Sequence, residues 1–418
     1  MTGADTIMAS YGERARAASR IVAGATATDK AAALEAMAVA VVDARVGILE
    51  QNALDMDQAR EEGVSGALLD RQLLTDERIE GIAAGLRKVA GLPDPVGEDT
   101  GGWRLYNGIR LQRTRSPLGV VAVIYEARPN VTADAAGLCV KSGNAALLRG
   151  SSYTLRSNLA IGAALREGLQ STGLPGDAVQ VIEDVSRDGA KALMTATEWV
   201  DLLVPRGGPG LIATVEAEAT VPVVIDGAGN CHVYVDVSAD LDDAEAITVN
   251  AKVQRPGVCN AAEKLIVHRE IASEFLPGVV SALREHGVEV RGDEDARAII
   301  PDLGSVTGAE WGQEYLDLIM AVRIVDDVDG AIEHIRRYGT GHTEAIVTAD
   351  YAAARRFVAG VDAAATMVNA STRFTDGEEF GFGAEIGIST QKLHVRGPMG
   401  SESLTTERYV LWGDGHIR

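Results

Sequence analysis

The sequence predicts an α/β protein with two parallel-sheet domains, the first carrying a projecting β-ribbon. Three patterns predict it. From Val120 short apolar runs alternate with helical stretches, the pattern of parallel strands joined by helical crossovers and covered on both faces. A second alternation of the same kind begins after Cys231. Ahead of both, "GGWRLYNGIRLQRTRSPLG" carries apolar residues at every second position, the period of a half-covered strand.

The first hundred residues read as helices, because "DKAAALEAMAVAVVDARVGILEQNALDMDQAREEG" is rich in Ala, Leu, Glu and Met with apolar positions at helical spacing. They are expected to cover one face of the sheet that follows. In the ribbon, Trp103, Leu105, Ile109 and Leu111 alternate around Asn107-Gly108, a dipeptide suited to a type I′ hairpin turn. Its apolar face needs cover from its own chain or from another subunit. Strands follow at "VVAVIYE", "AALLR", "AVQVIED", "VDLLV" and "VPVVID", with helices at "VTADAAGLCVKSG", "SNLAIGAALREGLQ", "DGAKALMTAT" and "LIATVEAEA". Ligands of such sheets sit beyond the strands' carboxyl ends, here 126–130, 149–152, 205–210 and 226–230. In the second alternation, strands "KLIVH", "IMAVRIV", "TEAIVTAD" and "AATMVNA" are separated by helices such as "ASEFLPGVVSALREHG" and "DGAIEHIRRYG". Cys259 comes just after the helix of "DLDDAEAITVNAKV", so its thiol is expected to face a cleft between the sheets. The tail "RGPMGSESLTTERYVLWGDG" ends in a strand-like piece that can pair with the ribbon.

Composition excludes several classes. With 46% hydrophobic and 24% charged residues, a chain of 418 builds a substantial core in two or three domains. Sixty acidic side chains against 39 basic leave a net charge of −21, which repels nucleic-acid phosphates and anionic lipid, so neither partner is expected. Three dispersed cysteines, Cys139, Cys231 and Cys259, offer no disulfide framework and no metal pair, which points to a reducing, cytoplasmic setting. No apolar run approaches the ~20 residues of a membrane span, and the amphipathic N-terminus lacks the apolar core of a secretory signal. The seven histidines are scattered without metal spacing, and no metal is expected.

Each candidate site residue has two readings. Cys259, in "AKVQRPGVCNAAEKLIVH", is either a small apolar filler or a nucleophile at a turn where a cation and the N–H groups opening a helix stabilise its thiolate. Gly207, Gly208 and Gly210 in "VPRGGPGLI" form either a plain strand-to-helix turn or a loop whose N–H groups meet a dinucleotide diphosphate. Arg149 ends a strand on the same rim, as a solvated charge or as a holder of a nucleotide ribose or its 2′-phosphate. Asn130 is either a helix N-cap or an oxyanion-stabilising amide. Asp226 is either a turn residue or a base.

The stretches "SPLGVVAVIYEARPNVTADAAGLCVKSGNAALLRG", "DLLVPRGGPGLI", "NAKVQRPGVCNAAEKLIVH", "EYLDLIMAVRIV", "NASTRFTDG" and "GAEIGISTQKLHVRGPMG" closely resemble the gamma-glutamyl phosphate reductase family of the aldehyde dehydrogenase superfamily, in order and over nearly the whole chain. The resemblance implies an aldehyde-dehydrogenase-like fold, with a cofactor-binding domain over 1–230 (the ribbon at about 101–115 serving oligomerisation), a catalytic domain over 231–385, and a return over 386–418 to the cofactor domain and the oligomerisation strand. It implies NADPH-dependent reduction of L-glutamyl 5-phosphate to L-glutamate 5-semialdehyde with release of phosphate, the second step of proline biosynthesis. By position Cys259 matches the nucleophile, Asn130 the oxyanion-hole amide, Arg149 the residue against the adenosine ribose and Glu314 the holder of the nicotinamide ribose. On the same reading Arg255 and Lys252 depress the thiol pKa or meet the phosphate, or are surface charges; Ser371, Thr372 and Arg373 bind the amino-acid end of the substrate. A homo-oligomer, dimer or tetramer, and a functional association with glutamate 5-kinase are implied. Two departures from the wider superfamily stand out: "VIDGAGN" lacks the Glu that activates a deacylating water, and "PRGGPG" replaces the usual cofactor-loop pattern.

Overall fold

A computed structural model describes residues 3–64 and 66–418; Met1 and Thr2 of the amphipathic N-terminus lie outside them. Five helices open the chain, at Gly3–Val22, Ala27–Asp43, Arg45–Glu61, Gly66–Gln72 and Asp76–Gly91. Thr26 starts the second through a reciprocal capping box with Asp29, and Thr75 caps the last through Arg78 N. Leu34, Met37, Ile79 and Leu86 bury against Val121, Val123 and Tyr125 of the first sheet. The helical text therefore covers a sheet face, as its periodicity predicts.

That sheet is parallel, in the order Val179–Val181, Ala145–Arg149, Val120–Tyr125, Leu202–Arg206. Its central strand sends alternate residues to two cores, since Val120, Ala122 and Ile124 pack with Met8, Leu193 and Val215 on the opposite face. The strand expected in "VPVVID" does not form. Segment 221–226 touches the sheet only through a bridge between Leu203 and Val223, and Asp226 then pairs antiparallel with Ser389. Pro222 has no N–H to give a ladder, and Ile225 N donates to the Gln391 side chain (2.8 Å), so the chain leaves the sheet for the C-terminal segment.

The second sheet has seven parallel strands, ordered Gly304–Ser305, Glu289–Gly292, Ile319–Val325, Ala262–His268, Cys231–Val235, Thr343–Val347, Ala365–Val368. The two strands at one edge carry Glu289 and Arg291 in too short a run to announce themselves. Between helix Leu241–Val253 and strand Ala262–His268 lies the Cys259 loop. Its two ends are clipped by a fully buried ion pair, Lys252 Nζ to Glu263 Oε2 at 3.1 Å, with Lys252 also donating to Asp317 O at 2.9 Å.

Strands Asp99–Arg104 and Arg110–Pro117 form the ribbon, and Thr405–Trp412 adds antiparallel to its second strand with Leu411 opposite Leu111. The tail thus pairs with the ribbon as expected, while Trp103, Tyr409, Leu411 and Trp412 stay exposed. The turn is not type I′. Gly108 N donates to Leu105 O (3.0 Å), which centres the turn on Tyr106-Asn107 and leaves Gly108 at φ 93° to close a three-residue loop. Among the described residues no helix is long and apolar enough to cross a membrane.

Removing one partner of a buried ion pair strands the other charge, at a cost of about 3–5 kcal/mol. Lys252→Met is expected to lower the denaturant midpoint accordingly, and Lys252→Met with Glu263→Leu to recover most of the loss. An unchanged midpoint in the single variant would exclude the clip.

Candidate active site

Cys259 sits half-buried in a turn, and a strand follows it. The expected helix N-terminus behind the thiol is therefore absent; Ala262–His268 needs an extended chain to join the sheet. What holds the cysteine is a backbone knot. A Cβ on Gly229 would lie 1.5 Å from Cys259 O, so only glycine fits. Gly229 N donates to Glu314 Oε1 at 2.7 Å, and the buried Cys231 thiol donates to Cys259 O at 3.1 Å. From the other side Thr372 Oγ1 donates to Asn260 O (2.7 Å) and Asn260 Nδ2 to Thr375 O (2.8 Å). Cys259 N–H has no acceptor among the described residues and is left for a ligand.

The thiol is pushed up to about 12, by burial first and then by Asp226, with Glu314 and Glu385 adding to the rise and Arg206 opposing it. The cation acting on the sulfur is thus Arg206 and not Lys252, which is locked to Glu263, a correction to the sequence expectation. Arg206 pairs with Asp226 Oδ2, and Asp226 Oδ1 accepts from Ile388 N at 2.7 Å. Both oxygens being engaged, Asp226 ties the first sheet's rim to the C-terminal segment and is poorly placed to activate water. Burial raises Glu385 to about 7, with its Oε2 accepting from Gly377 N at 2.9 Å.

Asn130 is the first helical residue of Asn130–Lys141, behind Pro129 as the cap residue, so the N-cap reading fails. Its Nδ2 donates to Asp134 Oδ2 at 2.9 Å, one turn on, which orients the amide and leaves its second N–H free. Asp134, raised to about 6 by burial, also feels Arg206. On the cofactor rim, Gly208 caps helix Pro209–Glu218 and its N–H donates to Glu126 Oε2 at 2.9 Å. The Glu126 carboxylate thus sits at the positive end of this helix. Gly207 has the Glu126 carboxylate against it, whereas Gly210 faces open space. Arg149 is buried with Nε donating to Asp184 O (3.3 Å) and Nη2 to Ser186 O (2.7 Å), which fixes the guanidinium on the rim with donors to spare.

Ser371 and Thr372 are buried, Ser371 accepting from Arg373 N (3.3 Å) and Thr372 bracing the cysteine loop, so both hydroxyls are engaged within the chain. Arg373 donates through Nε to Gln254 Oε1 at 2.6 Å and has Arg255 and Cys259 among its charged neighbours. Asp134 escapes sequence reasoning; Glu126, Arg206 and Gly229 lie in the strand-end segments that the sequence marks, but only the fold shows what each of them touches. Among the described residues no group of three or more His, Cys, Asp or Glu side chains is arranged for a metal.

Two outcomes follow for the cysteine. Iodoacetamide labelling of Cys259 in the unliganded protein is expected to keep rising above about pH 9, where a free thiol near 8.5 levels off, and Glu385→Gln should shift the curve down; an early plateau would contradict the raised value. Gly229→Ala should displace the loop and, since a 1 Å misplacement costs about a hundredfold, lower turnover by that much or more while the fold survives by circular dichroism.

The model of the aldehyde dehydrogenase family matches residues 9–301. The chain is 57% identical over 407 residues to gamma-glutamyl phosphate reductase of Moorella thermoacetica, covering 97% of each. It is 54% identical to that of Clostridium beijerinckii, covering 97% of this chain and 98% of the other. The crystal structure of gamma-glutamyl phosphate reductase from Thermotoga maritima superposes with a TM-score of 0.97 at 49% identity, over 98% of this chain and 99% of that one. The chain therefore belongs to the aldehyde dehydrogenase family of oxidoreductases, among the gamma-glutamyl phosphate reductases.

Proposed function

We propose that this protein reduces L-glutamyl 5-phosphate to L-glutamate 5-semialdehyde with NADPH, releasing phosphate, through a thioester on Cys259, as the second step of proline biosynthesis from glutamate. The observation that carries the reading is the seat of Cys259: a thiol fixed by Gly229 and Cys231, with an unclaimed N–H at the same residue. Sγ attacks the acyl carbon; the S–C bond forms, the C–O bond to phosphate breaks, and the thiol proton leaves on the phosphate. Cys259 N–H and the free Asn130 N–H hold the oxyanion. When bound, the reduced nicotinamide would supply hydride to the thioester carbon; the C–S bond then breaks as the carbonyl re-forms, releasing the semialdehyde and returning Sγ to take up a proton. Glu314 keeps one oxygen on Gly229 N and offers the other to the nicotinamide ribose; Gly208, Gly210 and Arg149 hold the diphosphate and adenosine side.

The exposed Trp103, Tyr409, Leu411 and Trp412 on the three-stranded sheet suit burial against a second copy in a dimer or tetramer. Because the acyl phosphate is unstable, association with the glutamate 5-kinase that makes it fits the same reading.

NADPH consumption with acyl phosphate generated in place by a glutamate kinase tests the activity. Cys259→Ser is expected to abolish it, and Asn130→Ala, which removes one oxyanion donor worth about 3 kcal/mol, to slow it roughly a hundredfold. Normal turnover in Cys259→Ser, or semialdehyde oxidation that needs no phosphate, would overturn the reading.

A further inference from the structure

We propose that Arg128, with Arg255 across the cleft, is the receptor for the phosphoryl group of the substrate, and for free inorganic phosphate in the reverse direction. The inference rests on the acyl-phosphate reading and assigns its leaving-group site. Arg128 is half-buried on the rim of the first sheet and, among the described residues, its guanidinium makes no hydrogen bond and no ion pair. In a chain with 60 acidic side chains for 39 basic ones, carboxylates are in surplus. Arg115, Arg269 and Arg291 each hold two. Arg128 instead has Arg206, Arg71 and Arg255 as charged neighbours, and the carboxylate of Asp226, which also acts on it, is taken by Arg206. Burial and these like charges push its pKa down, a cost that a bound anion reverses.

The backbone aims the residue. Ala127, immediately before it, has φ 39°, one of three non-glycine residues in the left-handed region among those described, and Pro129 follows. Such strain persists where the surroundings hold it in place, commonly at functional sites. From the catalytic domain, exposed Arg255 stands four positions before the nucleophile, without a carboxylate partner among the described residues, and is a charged neighbour of both Arg128 and Arg373.

Position in the chain separates the two anionic ends of the substrate. The phosphoryl group is bonded to the very carbon whose oxygen meets Asn130, so its receptor belongs beside Asn130, two residues from Arg128. A dianion also suits two guanidinium forks better than one. Arg373, held by Gln254, is left for the more distant α-carboxylate.

The test is the reverse reaction, semialdehyde oxidation by NADP in the presence of inorganic phosphate. Arg128→Gln is expected to raise the KM for phosphate about tenfold or more, the loss typical of a charged hydrogen bond, while the KM values for semialdehyde and NADP stay within about twofold. Arg128→Lys should recover part of the loss, and Arg255→Gln, on an exposed turn where folding is not at risk, should move the phosphate KM in the same direction. An unchanged phosphate KM in Arg255→Gln and Arg128→Lys, or a shift confined to semialdehyde or NADP, would overturn the assignment. Phosphate-independent oxidation by the unaltered protein would instead defeat the activity on which it rests.

Discussion

The active-site region depends on one steric constraint, the contact of Gly229 with the carbonyl of Cys259. No side chain fits between them. Because Gly229 also donates to Glu314 and Cys259 O also accepts from Cys231, this single backbone knot sets the position of the thiol relative to the carboxylate assigned to the nicotinamide ribose. Packing in the second sheet supports the knot from below, through the Lys252 and Glu263 clip, and Thr372 supports it from the side. Precision at the sulfur is thus built by main-chain contacts between loops of one parallel sheet, where rigid strands leave little freedom.

Electrostatics around the knot work against a resident thiolate. Three carboxylates, at Asp226, Glu314 and Glu385, act with burial to keep the sulfur protonated, and Arg206 only partly offsets them because it is paired with Asp226. Of the nearby cations, Arg255 is a neighbour of both Arg128 and Arg373. A site with half-buried negative groups at the sulfur and positive groups without ion pairs around it is polarised toward a substrate that is anionic at its ends and electrophilic at its centre.

Much of this was legible in the sequence, and the parts that were not share a cause. Periodicity gave away the helical cover, the two parallel sheets and the ribbon, because apolar spacing records which face of an element is buried. Cys259 and Asn130 stood out through the resemblance. The misread positions are those where a non-local partner decides: Gln391 and Ile388 draw 221–226 off the sheet, the Leu105 and Gly108 bond moves the turn by one residue, and Glu263 removes Lys252 from the thiol's surroundings. Gly229 is one of 46 glycines, and nothing local marks the one that must touch a cysteine carbonyl. The guanidinium of Arg128 became conspicuous only when the fold showed that its neighbours are cations.

A thiol held protonated is at odds with nucleophilic chemistry until the proton is followed. On the proposed route it departs on the phosphate, a better acceptor at neutral pH than the engaged carboxylate of Asp226, so the substrate carries its own proton acceptor. Once phosphate has gone, Asp226 has both oxygens committed and Glu314 and Glu385 one each, which limits the carboxylate oxygens open to a water molecule. The arrangement that makes the resting cysteine sluggish is the one that lets the acyl group wait for hydride.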